Sequence, residues 1–245
     1  MTVYVHFVRH GEVASHRGDV PITEQGKAAA QRQGRKLAGS ITGPEHVEFL
    51  HAVTKRTKQT CELLRKGFME AVREDVTVFH PEIENAIRNP DIYLGGKRVE
   101  LVSSVEALAA QVPNLGFLHH ELLELPFWTN FLNSPDRIGY WLHLENPPGE
   151  NAEAVARRLM AYAESLSLIP GNITRRYICV SHSPVLRAFL NKYLLEKDLG
   201  EPEYCESINL TFSRGTCKIQ YRSFEKENQL IGGTKDDRIS SEISL

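Results

Sequence analysis

Val3-Tyr4-Val5-His6-Phe7-Val8-Arg9-His10-Gly11-Glu12 decides how the rest of the chain is read. The run from Val3 to Val8 is short, apolar and rich in β-branched residues, and Gly11 breaks it. It predicts a buried strand that stops at Arg9-His10. An arginine and a histidine then stand at the carboxyl end of a strand, the edge where open α/β sheets place their ligands. A neutral imidazole is a competent nucleophile, and a guanidinium beside it grips a phosphoryl oxygen through paired hydrogen bonds.

Outward from this stretch, strand and helix signals alternate. Thr23 is a plausible N-cap for a helix from Glu24 to Leu37. Val47-Glu48-Phe49-Leu50 reads as a second strand, followed by a helix through Arg56-Thr57-Lys58-Gln59-Thr60. Val76 to Phe79 is a third short strand, halted by Pro81. From Pro81 to about Gly149 the alternation is lost and aromatic residues accumulate, with Leu101 to Val112 helical. This segment reads as an insertion over the sheet, either a substrate-covering cap or an irregular bundle that completes the core. Its aromatic cluster, Phe127-Trp128 and Tyr140-Trp141, favours core packing over a ligand cage.

Glu150 to Leu168 carries one apolar helical face. A strand, Arg176 to Val180, then ends at Ser181-His182-Ser183-Pro184 before a helix to about Leu195. Asn209 to Phe212 and Lys218 to Tyr221 form a hairpin around Arg214-Gly215. The pattern predicts an α/β three-layer sandwich: a mainly parallel central sheet, helices on both faces, and an inserted cap. Residues 1–224 would form this domain, with the cap at about 81–149, and the polar stretch 225–245 a flexible tail.

Composition narrows the function. The chain has 245 residues, 41% hydrophobic and 24% charged, and a net charge of −2, which argues against a nucleic-acid coat or an acidic-membrane binder. Cys61, Cys179, Cys205 and Cys217 show no C-x-x-C spacing, and His6, His46, His51, His80, His119, His120 and His143 show no ligand spacing, so no metal site is expected. No signal peptide and no bilayer-spanning run is read. A cytoplasmic protein is the expectation, with oligomeric state left open.

All parallel strands end on one edge, so His10, His182 and Arg9 would meet there, joined by Arg56 from the helix after the second strand. Two guanidiniums and two imidazoles suit the oxygens of a phosphate monoester. Arginine charge would stand in for a metal ion, and no cofactor is called for.

Arg9-His10-Gly11-Glu12, Pro21-Ile22-Thr23-Glu24-Gln25-Gly26, Arg56-Thr57-Lys58-Gln59-Thr60 and Ser181-His182, in that order and spacing, resemble the histidine phosphatase (phosphoglycerate-mutase-like) superfamily. Gly149-Glu150-Asn151 is similar to its G-E-[ST] element, with Asn where a hydroxyl residue is common. The resemblance implies His10 as phospho-accepting nucleophile, with Arg9, Arg56 and His182 on the phosphoryl oxygens. It also implies a carboxylate proton donor after the third strand. The family's L-x-E-x-x-x-G wording is absent there, so Glu84 is the first choice, with Glu82 and Asp91 as alternatives. Val13 and His16 stand where the family has a hydroxyl residue and an asparagine, and His16 could replace the latter as a substrate-binding donor. The implied activity is metal-independent hydrolysis of a small phosphorylated molecule. A phosphoglycerate mutase and a catalytically silent phospho-ligand binder are the alternatives.

Overall fold

The computed structural model describes residues 1–116 and 119–229. Elements follow in chain order: β1 (Val3–Arg9), α1 (Glu24–Ala38), β2 (Glu45–His51), α2 (Lys55–Met69), β3 (Thr77–Val78), β4 (Glu82–Ile83), β5 (Ile92–Leu94) and β6 (Lys97–Val99). Then come α3 (Val105–Ala109), α4 (His119–Leu122), α5 (Pro126–Asn133), α6 (Arg137–Leu142), α7 (Ala152–Ser167), β7 (Thr174–Ser181), α8 (Ser183–Tyr193), β8 (Ser207–Ser213), β9 (Thr216–Tyr221) and β10 (Phe224–Gln229).

The main sheet runs β10-β9-β8-β1-β7-β2-β3, with β4 paired to the far end of β2. Its centre is parallel: β7 lies between β1 and β2, in register from Val3↔Arg175 to Arg9↔Ser181 on one side. The hairpin β8–β9 and then β10 add antiparallel strands on the β1 side.

Period-2 alternation divides the apolar residues between the two faces. Val3, Val5, Phe7, Tyr177 and Cys179 face α7, α8 and the cap, while Val8, Val47, Phe49, Ile178 and Val180 face α1 and α2. That is the expected three-layer sandwich. The cap shares the first of these cores, with Trp128, Phe131 and Trp141 all buried in it. All four cysteines are free and buried, and no described helix is long and apolar enough to cross a membrane.

Three sequence readings need correction. The helix expected over Leu101 to Val112 is confined to α3, and Pro113 opens a separate 3-10 turn. Ile92 to Val99, read as irregular, is a hairpin whose turn residues Gly95 and Gly96 both have positive φ, 53° and 76°. Residues 225–229 are not a tail: they pair with β9 through backbone bonds while their side chains stay mostly exposed. The remainder of the expected tail, 230–245, lies outside the described residues.

Candidate active site

β1 and β7 are neighbours and end level, so the residues that follow them are neighbours too. The His10 N–H donates to the Ser181 carbonyl (3.0 Å), and the His10 and His182 rings lie 5.5 Å apart between centroids. Both are 2% exposed.

The loop after His10 is held by the two motifs that follow it. Gly11 N–H donates to Thr60 Oγ1 (2.8 Å), and that hydroxyl donates to the Arg56 carbonyl (2.7 Å). Thr57 Oγ1 donates to the Ala52 carbonyl (2.6 Å), fixing the start of α2 to the end of β2. On the other side, Thr23 caps α1 by accepting from Gly26 N–H (3.0 Å) and donates its hydroxyl to Glu12 Oε2 (2.6 Å). Gly26 is required by contact: a Cβ there would stand 2.7 Å from the Glu12 carbonyl oxygen. The threonines and the glycine of these motifs thus build the cradle for His10.

Hydrogen-bond partners fix both imidazole tautomers. His10 Nδ1 lies 2.8 Å from the Gly11 carbonyl, which only accepts, so Nδ1 carries the proton and Nε2 presents a lone pair. Arg56 Nη2 lies 3.3 Å from His182 Nδ1. A guanidinium only donates, so His182 carries its proton on Nε2. Burial, reinforced by Arg56, holds both histidines well below the usual imidazole range, so both are neutral at pH 7.

Arg9, Arg56, His16 and His182 line one cavity of about 410 Å³ with His10. The His16 ring centroid is 6.1 Å from that of His10, and burial, then Arg56, lowers its pKa. Six of the eight buried side-chain polar atoms without a hydrogen-bond partner among the described residues belong to residues of this cavity: Arg9 Nε, Arg56 Nε, Asn89 Oδ1, Arg137 Nε, His182 Nε2 and Ser183 Oγ. The other two, on Asn191 and Asn228, lie elsewhere. All but Asn89 Oδ1, an acceptor, are donors, and each buried donor left unpaired costs about 1–3 kcal/mol, so a cavity that concentrates them suits an acceptor-rich anion. The amino end of α8, with Ser183 and Pro184 on the cavity wall, adds its dipole.

Arg9 differs from the simple picture of a free phosphate clamp. Its Nη2 pairs with Glu201 (2.7 Å), its Nη1 donates to the Pro202 carbonyl, and its guanidinium stacks on Tyr204, 4.2 Å from the ring centroid. Its buried Nε has no hydrogen-bond partner among the described residues. Sequence reasoning missed Glu201 and Tyr204, which sit in an irregular segment with no local signal.

The structure does not bring Glu84 to the cavity. Its carboxylate accepts from Ala86 N–H (2.7 Å), capping a 3-10 turn over Asn85–Ile87, and acts on Tyr162 of α7. Of this segment, Asn89 lines the main cavity, and Asn85, Arg88, Asn89 and Asp91 line an adjoining one of about 640 Å³ that shares His182. Glu82 is exposed. Asp91 borders the adjoining cavity, but hydrogen bonds from Arg88 and Arg98 pull its pKa down to about 2, so it carries no proton near neutrality.

The neutral histidines make a prediction for stability. His6, buried beside Arg176 at the middle of β1, has its pKa lowered to about 4, chiefly by burial. His6, His10 and His182 therefore bind protons more readily unfolded than folded once the pH drops below about 6.5. Their contribution is fully present above that pH and is lost as the pH falls toward the folded values. Urea midpoints should decline between pH 7.5 and pH 5, by up to about 1.4 kcal/mol per pH unit for each imidazole. A flat profile would contradict neutral burial.

Residues 5–77 match the model of the histidine phosphatase superfamily, branch 1. No curated protein sequence matches the chain. Among solved structures, a mycobacterial hydrolase aligns with TM-score 0.53 at 13% identity, covering 94% of this chain and 98% of that one. A phosphoglycerate mutase from Bacillus anthracis aligns at 0.51 and 16% identity, over 90% and 92% of the two chains. A mycobacterial glucosyl-3-phosphoglycerate phosphatase, complexed with VO3, aligns at 0.50 and 14% identity, over 93% and 98%. At such identities these likenesses show a shared fold.

Proposed function

We propose that this chain, whose residues 5–77 match the histidine phosphatase superfamily model, is a member of that superfamily and hydrolyses phosphate monoesters through a phosphohistidine on His10. The observation that carries this reading is the convergence of a lone pair on His10 Nε2 with orphaned buried donors on Arg9, Arg56, His182 and Ser183. His10 Nε2 attacks phosphorus, and the ester P–O bond breaks as the P–N bond forms, the departing oxygen taking its proton from solvent water. Arg56 and His182 Nε2–H stabilise the charge on the equatorial oxygens. Water then attacks the phosphohistidine, releasing phosphate and returning the lone pair to Nε2. The arginines supply the charge that a divalent ion supplies in other phosphoryl-transfer sites, so EDTA is expected to leave turnover intact.

The orientation of Glu84 gives a specific expectation about the leaving group. Glu84→Gln should change kcat for p-nitrophenyl phosphate by less than about threefold, because its carboxyl does not face the reacting atoms. A drop of a hundredfold would restore Glu84 as proton donor. The function itself is tested by incubating the purified protein with p-nitrophenyl phosphate in EDTA. Metal-independent release of p-nitrophenol supports it. Tight vanadate binding without turnover would mark a silent pocket, and primer-dependent exchange between phosphoglycerate isomers would mark a mutase.

A further inference from the structure

Beside the histidines and arginines, the cavity is lined by apolar side chains of the cap segment, Leu101, Val102, Phe131 and Ile138. Arg137, the first residue of α6, lines it too. Its Nε is buried without a hydrogen-bond partner, and among the described residues no carboxylate lies within ion-pair distance of its guanidinium. Two acids border the cavity, and both are committed elsewhere. Asp136 accepts from Arg187 with both oxygens (2.8 and 2.7 Å) and from Gly139 N–H (2.8 Å). Glu201 bridges Arg9 (2.7 Å) and Arg187 (3.7 Å). Arg187, fully buried, therefore has three carboxylates around it, counting Asp198, while the neighbouring Arg137 has none.

A guanidinium on a cavity wall with a buried, unpaired nitrogen is one partner of an ion pair whose other partner arrives with the ligand. This needs no second phosphoryl machinery, only one anionic group on the ligand that reaches Arg137. We infer that Arg137 binds a second anion on the substrate, so that the substrate is a phosphomonoester whose leaving group carries a carboxylate or further phosphate. The inference rests on the phosphatase reading for the first anion, and on Arg137 alone for the second.

Binding tests it without relying on turnover. Titration calorimetry on the full chain would compare ω-phosphonocarboxylates of increasing methylene number with alkylphosphonates of the same length. The expected result is that at least one length binds about tenfold or more tighter with the carboxylate, a difference near 1.4 kcal/mol. Arg137→Gln should bring that ratio to about one, and Arg137→Lys should keep part of it, while thermal melts verify folding of each variant. α,ω-Bisphosphonates distinguish the two anion sources: tighter binding than the carboxylates assigns the second anion as phosphate. No preference at any length, a preference that survives in Arg137→Gln, or no phosphonate binding at all would overturn the inference. An Arg137-dependent preference in a protein that hydrolyses no ester would instead sink the phosphatase reading and leave the two-anion site standing.

Discussion

Replacing His10 by alanine is expected to lower kcat for p-nitrophenyl phosphate by at least about a thousandfold, because it removes the only atom the mechanism bonds to phosphorus. The size of the loss follows from the geometry. Nδ1 is occupied by the Gly11 carbonyl, so Nε2 is the free nitrogen. Burial and Arg56 keep it unprotonated well below the ordinary imidazole pKa. An alanine leaves the donors of Arg56, His182 and Ser183 in place, so vanadate affinity should fall by less than about tenfold while turnover disappears. Parallel loss of binding and turnover would mean that His10 organises the pocket rather than reacting in it. Steady-state kinetics and vanadate inhibition on the one variant give both readouts.

Arg56→Lys carries the second large effect, an expected fall of about 10²- to 10³-fold in kcat/KM despite the retained charge. Arg56 does two things that a lysine does not do from the same place. Its Nη2 donates to His182 Nδ1, which sets the tautomer that aims an N–H from Nε2 into the cavity, and its Nε stays available for a phosphoryl oxygen. A lysine ammonium is a point charge on a flexible stem, with no fork to make both contacts. Loss of the tautomer lock should appear independently as a changed ¹⁵N shift pattern for the His182 ring. A lysine variant with wild-type kcat/KM would show that charge alone is needed.

These two residues were legible in the sequence because local and distant signals coincide at them. The β-branched runs before His10 and His182 announce strands, and parallel strands have no choice but to end on one edge. Thr23 carries recognisable helix-start chemistry and Thr60 closes the R-T-x-x-T motif inside α2, and their side chains also tie down the His10 loop. Where one signal acts alone, the reading weakens. The side to which Glu84 points depends on a one-residue phase in a strand of two residues, followed at once by a turn that its own carboxylate caps. β10 is polar because a strand on the sheet edge is held by backbone bonds, which leave no hydrophobic trace.

The commitment of Arg9 to Glu201, Pro202 and Tyr204 spans some two hundred residues of chain, and no spacing rule reaches that far. Gly95-Gly96 is the exception: the dipeptide is a hairpin-turn signal that the surrounding irregular composition hid. Local chemistry thus wrote the histidines and Arg56 of the cavity into recognisable motifs. How Asp136, Arg137 and Arg187 sort their charges is decided by packing alone.

The central claim is that His10 and His182, with Arg56 between them and the helix α2 that carries it, surround a single phosphoryl group that passes through His10. Rapid alkaline quenching of the protein during turnover of p-nitrophenyl phosphate, followed by peptide mass spectrometry, tests it most directly. The predicted result is one acid-labile phosphate on the peptide containing His10, absent from the His10→Ala protein. Steady hydrolysis with no such adduct, or a phosphate carried on any other residue, would contradict it.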